Sequence, residues 1–150
     1  MTKPVDKRDF WIGRIMDTVA RERPIHTIIY DIDVSVWNEV QDKTASILGE
    51  LLTAEARILD AGCGYGALLD TLLNHEEIPF KSYAGADFSH ELIALARIRR
   101  PKHDFWLGDL RRLPFKGKSF DLAVARSVKD MIVENLGAAA WPPMERELRR

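Results

Sequence analysis

The chain has 150 residues, 46% of them hydrophobic and 30% charged, with a formal net charge of −1. That length fits one domain with a real core, and charges that nearly cancel leave no electrostatic footprint for nucleic acid or anionic lipid. A single cysteine, Cys63, excludes a disulfide framework or a cysteine-rich metal site within one chain.

No apolar run approaches the roughly 20 residues needed to span a bilayer. The first ten residues carry Lys3, Asp6, Lys7, Arg8 and Asp9 and lack the apolar core of a secretory signal. These features predict a soluble, cytoplasmic protein with no membrane partner, for which a small molecule suits better than nucleic acid.

In chain order, Ile12, Ile15, Met16 and Val19 recur at helical spacing, and Pro24 closes that segment. Residues 25–36 are rich in β-branched side chains and read either as a short strand or as an irregular apolar turn. From Trp37, the set Val40, Ile47, Leu48, Leu51 and Leu52 again has helical period, with Gly49 weakening the last turns. Residues 1–52 are therefore read as a helical cap or lid, and 53–150 as the core of one domain overall.

After Thr53 the pattern changes. Strands are predicted over 57–60, 82–87, 103–107 and 120–125. Helices are predicted over 67–73 and 91–99, with Pro101 ending the second. The segment 110–118 has room for one turn and a loop, and 143–150 is helical in character. Strands alternating with helices imply parallel pairing with right-handed crossovers, a doubly wound α/β sheet.

The central motif is Ile58-Leu59-Asp60-Ala61-Gly62-Cys63-Gly64-Tyr65-Gly66. A strand runs into a glycine-rich turn and then a helix, at the carboxyl edge where open parallel sheets bind ligands. By itself this is ambiguous. Gly62, Gly64 and Ala67 also satisfy a dinucleotide pattern, with Asp87 about 20 residues further on as a ribose ligand, so a nicotinamide-dependent oxidoreductase is weighed.

Three carboxylates argue otherwise. Asp60, Asp87 and Asp109 each close a consecutive predicted strand and should line one rim. Ionised carboxylates only accept hydrogen bonds. They match a ligand bearing an ammonium, a sulfonium, two ribose hydroxyls and an exocyclic amine, while Asp60 beside the glycines would repel a pyrophosphate.

On these residues the sequence resembles the class I S-adenosylmethionine-dependent methyltransferases. Residues 59–66 match that family's first motif, Gly85-Ala86-Asp87-Phe88-Ser89 its acidic second strand, and Gly108-Asp109-Leu110 its third motif. Ser119-Phe120-Asp121-Leu122-Ala123-Val124-Ala125 matches its fourth-strand motif. The likeness covers 57–128.

The resemblance implies a Rossmann-like sheet and S-adenosyl-L-methionine as cofactor. It implies that Asp60, Ala61, Gly62, Gly64 and Gly66 contact the methionine portion, and that Asp87 holds the ribose. Phe88 would pack on adenine, Asp109 would accept from its amine, and the Leu110 amide would meet the ring. Arg126 and Ser127 would lie near the methyl group. An N-terminal segment folding over the cofactor would make Tyr30, Asp31 and His26 the candidates for a base.

Each residue also has a structural alternative. The glycines could serve a tight turn only, Asp60 and Asp87 could cap helices, and Asp109 could open a turn with Gly108. Cys63 is read as a small filler and Asp121 as structural, at the opposite end of the sheet. Arg97, Arg99, Arg100 and Lys102, with Arg146, Arg149 and Arg150, are expected to stay solvated at helix ends. Trp11, Trp37, Trp106 and Trp141 are expected to pack in core and lid. The histidines His26, His75, His90 and His103 show no metal-ligand spacing.

Four strands make the expected sheet shorter than the family's, as if truncated at its C-terminal end. An apolar fourth strand would leave an open edge, so either the chain is a fragment, or a partner, such as a second copy, covers that edge. The functional expectation is a methyltransferase, or its cofactor-binding portion, acting on a small-molecule acceptor. The alternative is a catalytically silent S-adenosylmethionine-binding module.

Overall fold

The computed structural model describes residues 32–150 together with Ile25. The expected helix over 12–19, Trp11, His26, Tyr30 and Asp31 lie outside the described residues. Among the described residues the elements run in order α1 (Val34–Leu51), β1 (Arg57–Ala61), α2 (Ala67–Asn74), β2 (Ser82–Asp87), α3 (His90–Arg99), β3 (Asp104–Leu107), β4 (Leu122–Val124), α4 (Val128–Leu136) and α5 (Trp141–Leu148), with a 3-10 turn (Ala138–Ala140) before α5.

All described strands pair in parallel, in the order β3-β2-β1-β4. The chain therefore winds outward from β1 in one direction and then returns to its other side. The crevice between β1 and β4 is the switch point at which such sheets hold ligands.

Alternation along β1 sends Ile58 and Leu59 to opposite faces. Ile58 joins Tyr83 and Phe105 under α1, α2 and α3, through Leu48, Leu69, Leu72, Ile93 and Ala96. Leu59, Ala61 and Ala86 join Leu110, Leu113, Val128 and Met144 on the other face. Both faces are buried, as parallel sheets require.

Local chemistry sets the helix ends. The Asp33 side chain accepts from the Ser35 amide to cap α1, and Ser89 Oγ accepts from the Leu92 amide to cap α3. The prolines of α5 occupy its first turn, where a missing N–H costs nothing. Gly49 does not end α1, because the buried Leu48 and Leu52 bracket it.

Three expectations are corrected. β4 is shorter than predicted, since Phe120 lies before it and packs on Phe115 with ring centroids 4.9 Å apart. A helix unforeseen from sequence, α4, follows it directly. Trp106 is 44% exposed on β3, its ring edge on Phe115. Among the described residues no helix is long and apolar enough to cross a membrane, and β4 pairs only with β1.

Asp121 has the structural role expected of it. Its carboxylate accepts from the Arg57 backbone amide at 2.9 Å and from the guanidinium at 2.9 and 3.0 Å, joining the entry of β1 to that of β4. Those bonds hold it at about 2, well below an ordinary aspartate. A depressed folded value favours the folded state above the unfolded value, and the benefit is lost as pH falls towards about 2. Asp121→Asn should therefore melt below the parent at neutral pH. The gap should close on acidification, as thermal melts across that range would show.

Candidate functional site

β1 carries Asp60 to the carboxyl edge of the sheet, and the chain then turns through residues 62–66. Gly62, Gly64 and Gly66 all take left-handed backbone conformations, with φ of 81°, 53° and 91°. The amides of Gly62 and Cys63 both donate to the Ala86 carbonyl, at 2.7 and 3.1 Å. The turn is thereby tied to the end of β2. A Cβ on Gly62 would stand 2.3 Å from Val128 Cγ2, so the start of α4 packs directly on bare backbone.

Asp87, the last residue of β2, organises this edge. Its Oδ2 accepts from the Gly64 amide and its Oδ1 from the Ser89 amide, both at 2.9 Å. It is only 6% exposed. Burial raises its pKa, and the amides of Ser89, Gly64 and Phe88 oppose the rise. Ser89, not Asp87, caps α3.

Asp60 is 3% exposed and accepts the Tyr83 hydroxyl at 2.7 Å. Register explains the contact: Asp60 lies opposite Gly85, which has no side chain to intervene, and Tyr83 is two residues earlier on the same face. Burial lifts Asp60 to about 6. The Tyr83 hydroxyl and the Arg126 charge pull it down, and Asp87 pushes it up.

A carboxyl whose folded pKa exceeds its unfolded value binds more protons when folded, so its contribution to stability falls as pH rises from about 4 to about 6. Asp60→Asn keeps an acceptor for Tyr83 and removes the buried charge. It should melt higher than the parent at neutral pH and show a flatter stability profile over that window in thermal denaturation.

Asp109 stands at the same end of the sheet but does not close β3. That strand stops at Leu107, opposite Asp87, and the Gly108 amide donates to the Asp87 carbonyl at 2.9 Å. Asp109 then accepts from the Arg111 amide at 2.8 Å and from its Nε at 2.9 and 3.0 Å, bonds that hold its carboxyl below the usual range. Leu110, the next residue, is buried, and Phe88 stands at the rim, 55% exposed.

Past β4, Ser127 is left-handed at φ 59°, rare for a residue with a side chain and common where function constrains backbone. Arg126 reaches back to α1. Its Nη1 donates to Gln41 Oε1 at 2.9 Å and Thr44 Oγ1 at 3.4 Å, and its guanidinium lies 5.8 Å from the Trp37 ring centroid. Gln41 Oε1 also accepts the Thr71 hydroxyl. Thus α1 is fastened to α2 and to the loop after β4.

Asp60, Ala61, Gly62, Gly64, Gly66, Asp87 and Asp109 gather at one end of the sheet, with Phe88, Leu110, Arg126 and Ser127 beside them. Sequence reasoning missed Tyr83, Gln41 and Thr44. Alternation along β2 puts Tyr83 on the face of Asp87. The polar pair Gln41 and Thr44 stands on a helix face otherwise turned to the core.

The basic cluster is corrected. Arg97 donates to the Phe105 carbonyl at 2.6 and 3.2 Å. Arg99 donates to the Tyr65 carbonyl at 3.2 Å and to Asp70 at 2.8 Å, and stacks 4.9 Å above the Tyr65 ring. Arg100 joins Asp70 at 2.8 Å. Arg99 and Arg100 brace α3 against α2 and the glycine turn, and Arg97 ties α3 to β3, because acceptors there face the last turn of α3. At the other end, Arg149 and Arg150 pair with Glu145 and Glu147, each at 2.9 Å. Cys63 is the expected filler: it is buried, and a Cβ on Gly85 would stand 2.8 Å from its sulfur.

Two surface grooves lie elsewhere, one beside β3 at Arg97, His103 and Trp106, the other along β4 at Leu59, Leu113 and Phe120. Chemistry, not concavity, therefore picks out the rim. Among the described residues no cluster of histidine, cysteine or acidic side chains could hold a metal ion.

A family model described as a methyltransferase domain matches residues 58–149. Two curated relatives, demethylmenaquinone methyltransferases of Chlorobaculum parvum and Chlorobaculum tepidum, are each 32% identical over 102 residues, 67% of this chain and 39% of theirs. The chain thus spans about two fifths of the length of these relatives. An amino pentose methyltransferase from Micromonospora echinaspora, solved with S-adenosylmethionine bound, is 27% identical with a TM-score of 0.55, over 75% of this chain and 46% of that one. A Methanococcus maripaludis structure described as a putative S-adenosyl-L-methionine-dependent methyltransferase shares the fold at a TM-score of 0.66 and 21% identity, over 100% of this chain and 62% of that one.

Proposed function

The chain belongs to the methyltransferase-domain family, of the class I S-adenosylmethionine-dependent kind, and from that premise we propose that it binds S-adenosylmethionine across the carboxyl ends of β1, β2 and β4 and passes the methyl group to a small-molecule acceptor. The observation that carries the reading is Asp87: one buried carboxylate both closes β2 and grips the glycine turn at Gly64.

The residues present fit the cofactor. A carboxylate offers about four acceptor positions. Backbone amides use two of those on Asp87, leaving acceptors for a ribose diol. Asp60, on the neighbouring strand β1 opposite Gly85, supplies negative charge for an ammonium. The bare turn between them lets a ligand lie against backbone. Phe88 offers an exposed ring to stack on adenine, and Asp109 an acceptor for its amine. A dinucleotide would set a pyrophosphate beside Asp60, which the charge disfavours.

When bound, the sulfonium supplies an already activated methyl group. The protein's part is to fix geometry and exclude water. Asp60 and the glycine turn orient the donor end. The left-handed Ser127 and the start of α4 wall the β1–β4 crevice. The names of the relatives and the near-neutral charge both favour a small molecule as acceptor, and the single buried thiol suits a reducing cytoplasm.

Calorimetry with S-adenosylmethionine, S-adenosylhomocysteine and NAD in parallel tests this. Both adenosyl ligands should bind, and NAD should not. A cation beside Asp60 favours its ionised form, so binding near pH 6 should release protons. The observed heat should then differ between buffers of different ionisation enthalpy. Folded chain that binds neither adenosyl ligand would overturn the reading.

A further inference from the structure

We propose that Arg126 is the acceptor-recognition residue of this site, and that the acceptor is an apolar ring bearing an acidic hydroxyl, a phenol or enol, whose oxyanion the guanidinium holds. The inference rests on the cofactor reading above and concerns the half of the site that the cofactor does not occupy.

Arg126 stands two residues past the end of β4, next to the left-handed Ser127 and the Val128 that packs on Gly62. Its charge reaches the cofactor side, where it favours ionised Asp60. Its partners among the described residues are nevertheless neutral: an amide oxygen of Gln41, a hydroxyl of Thr44 and the face of Trp37. Neutral groups aim a guanidinium without neutralising it, and the fork keeps donors for an anionic oxygen.

Beyond these polar partners, the same helix also carries exposed apolar side chains. Val40 sits on α1 between Trp37 and Thr44, the two residues at helical spacing that meet the guanidinium. Val40 is 38% exposed, and Val36, one turn before it, is 49% exposed. A cation bordered by exposed valines and an indole face suits a flat apolar body with one acidic oxygen.

The chemistry follows the charge. A cation lowers the pKa of a neighbouring hydroxyl, and its proton leaves to solvent. The oxyanion, or a ring carbon conjugated to it, attacks the methyl carbon as the carbon–sulfur bond breaks and its electron pair returns to sulfur. One positive and one negative charge become two neutral products. An amine acceptor would instead develop positive charge beside Arg126 and be opposed.

The test uses 4-nitrophenol, whose ionised form is coloured, with 4-nitroaniline as the neutral isostere. In the presence of S-adenosylhomocysteine, the chain should bind 4-nitrophenol saturably and lower its pKa by about one unit, a tenfold shift towards the phenolate. Arg126→Met should abolish the shift, Arg126→Lys should restore part of it, and neither should change 4-nitroaniline binding. Each variant is titrated at saturating S-adenosylhomocysteine, with its own affinity for that ligand measured first, because the Arg126 charge also favours ionised Asp60. No saturable 4-nitrophenol binding, an unshifted titration, or an equal shift in Arg126→Met overturns the proposal. So does a loss of S-adenosylhomocysteine binding beyond about tenfold in folded Arg126→Met, since the cation would then serve the cofactor's carboxylate. Should Arg126→Met fail to fold, Arg126→Lys decides: a point charge kept without the fork must retain a measurable shift. Because S-adenosylhomocysteine binding by the parent is measured separately, failure of the cofactor reading is told apart from failure of this one.

Discussion

Asp87→Ala should reduce the affinity of the chain for S-adenosylmethionine by at least about 100-fold while leaving it folded. Two effects act together. The ribose hydroxyls lose an ionised acceptor, and hydrogen bonds to charged groups are worth about 1.5–3 kcal/mol each, so two such bonds already span that loss. The glycine turn also loses its tether, because the Gly64 amide donates to the same carboxylate at 2.9 Å. The Gly64 and Ser89 amides would then need water or a shifted backbone, at about 1–3 kcal/mol for each group left unpaired. Against that, the variant no longer buries a carboxylate whose ionisation is opposed by desolvation. Net destabilisation should therefore stay near the lower end of that range.

Asp87→Asn separates the effects. Its oxygen can serve one backbone amide, while its NH2 confronts the other. Stability should fall much as in the alanine variant, yet one acceptor would remain for the ligand. Calorimetry should rank affinity as parent, then asparagine, then alanine. Equal affinities across the three would remove Asp87 from the site.

Much of the architecture was legible because its signals are local. A short apolar run, a glycine turn and a capped helix are each encoded within about ten residues, which is why β1, β2 and α3 fall where patterning puts them. The three acids were legible because parallel strands that succeed one another present their carboxyl ends along one rim. What escaped depends on long-range pairing. The Tyr83 hydroxyl meets Asp60 only once β1 and β2 are in register. Arg99 reaches Tyr65 and Asp70 only once α3 lies across α2. Helix α4 was hidden for another reason. Its start has the helix-opening pattern of Ser127 with Asp130 three residues on, but that pattern lies just past a predicted strand, and the left-handed Ser127 lends no side-chain bond.

The tightest of these long-range contacts gives the second large effect. Gly62→Ala should destabilise the chain by about 3 kcal/mol. Left-handed φ costs an alanine about 1–2 kcal/mol, and forcing a methyl into a filled space costs about 1–3 kcal/mol more. Both apply here, at φ 81° and with Val128 Cγ2 at 2.3 Å from the added carbon. The two parts are separable. Val128→Ala removes the obstructing methyls at the ordinary cost of a small cavity. In the double variant Gly62→Ala/Val128→Ala the clash is gone, and only the backbone strain and the cavity remain. The double variant should therefore be more stable than the sum of the single changes implies, by about 1–2 kcal/mol of coupling. Denaturant titrations of the four proteins would measure it. Simple additivity would mean that α4 does not rest on the glycine turn. Positive coupling with cofactor affinity still reduced in both Gly62 variants would tie the β1–β4 crevice to the ligand, as the proposed site requires: the bare backbone that admits Val128 from one side would receive the methionine portion from the other.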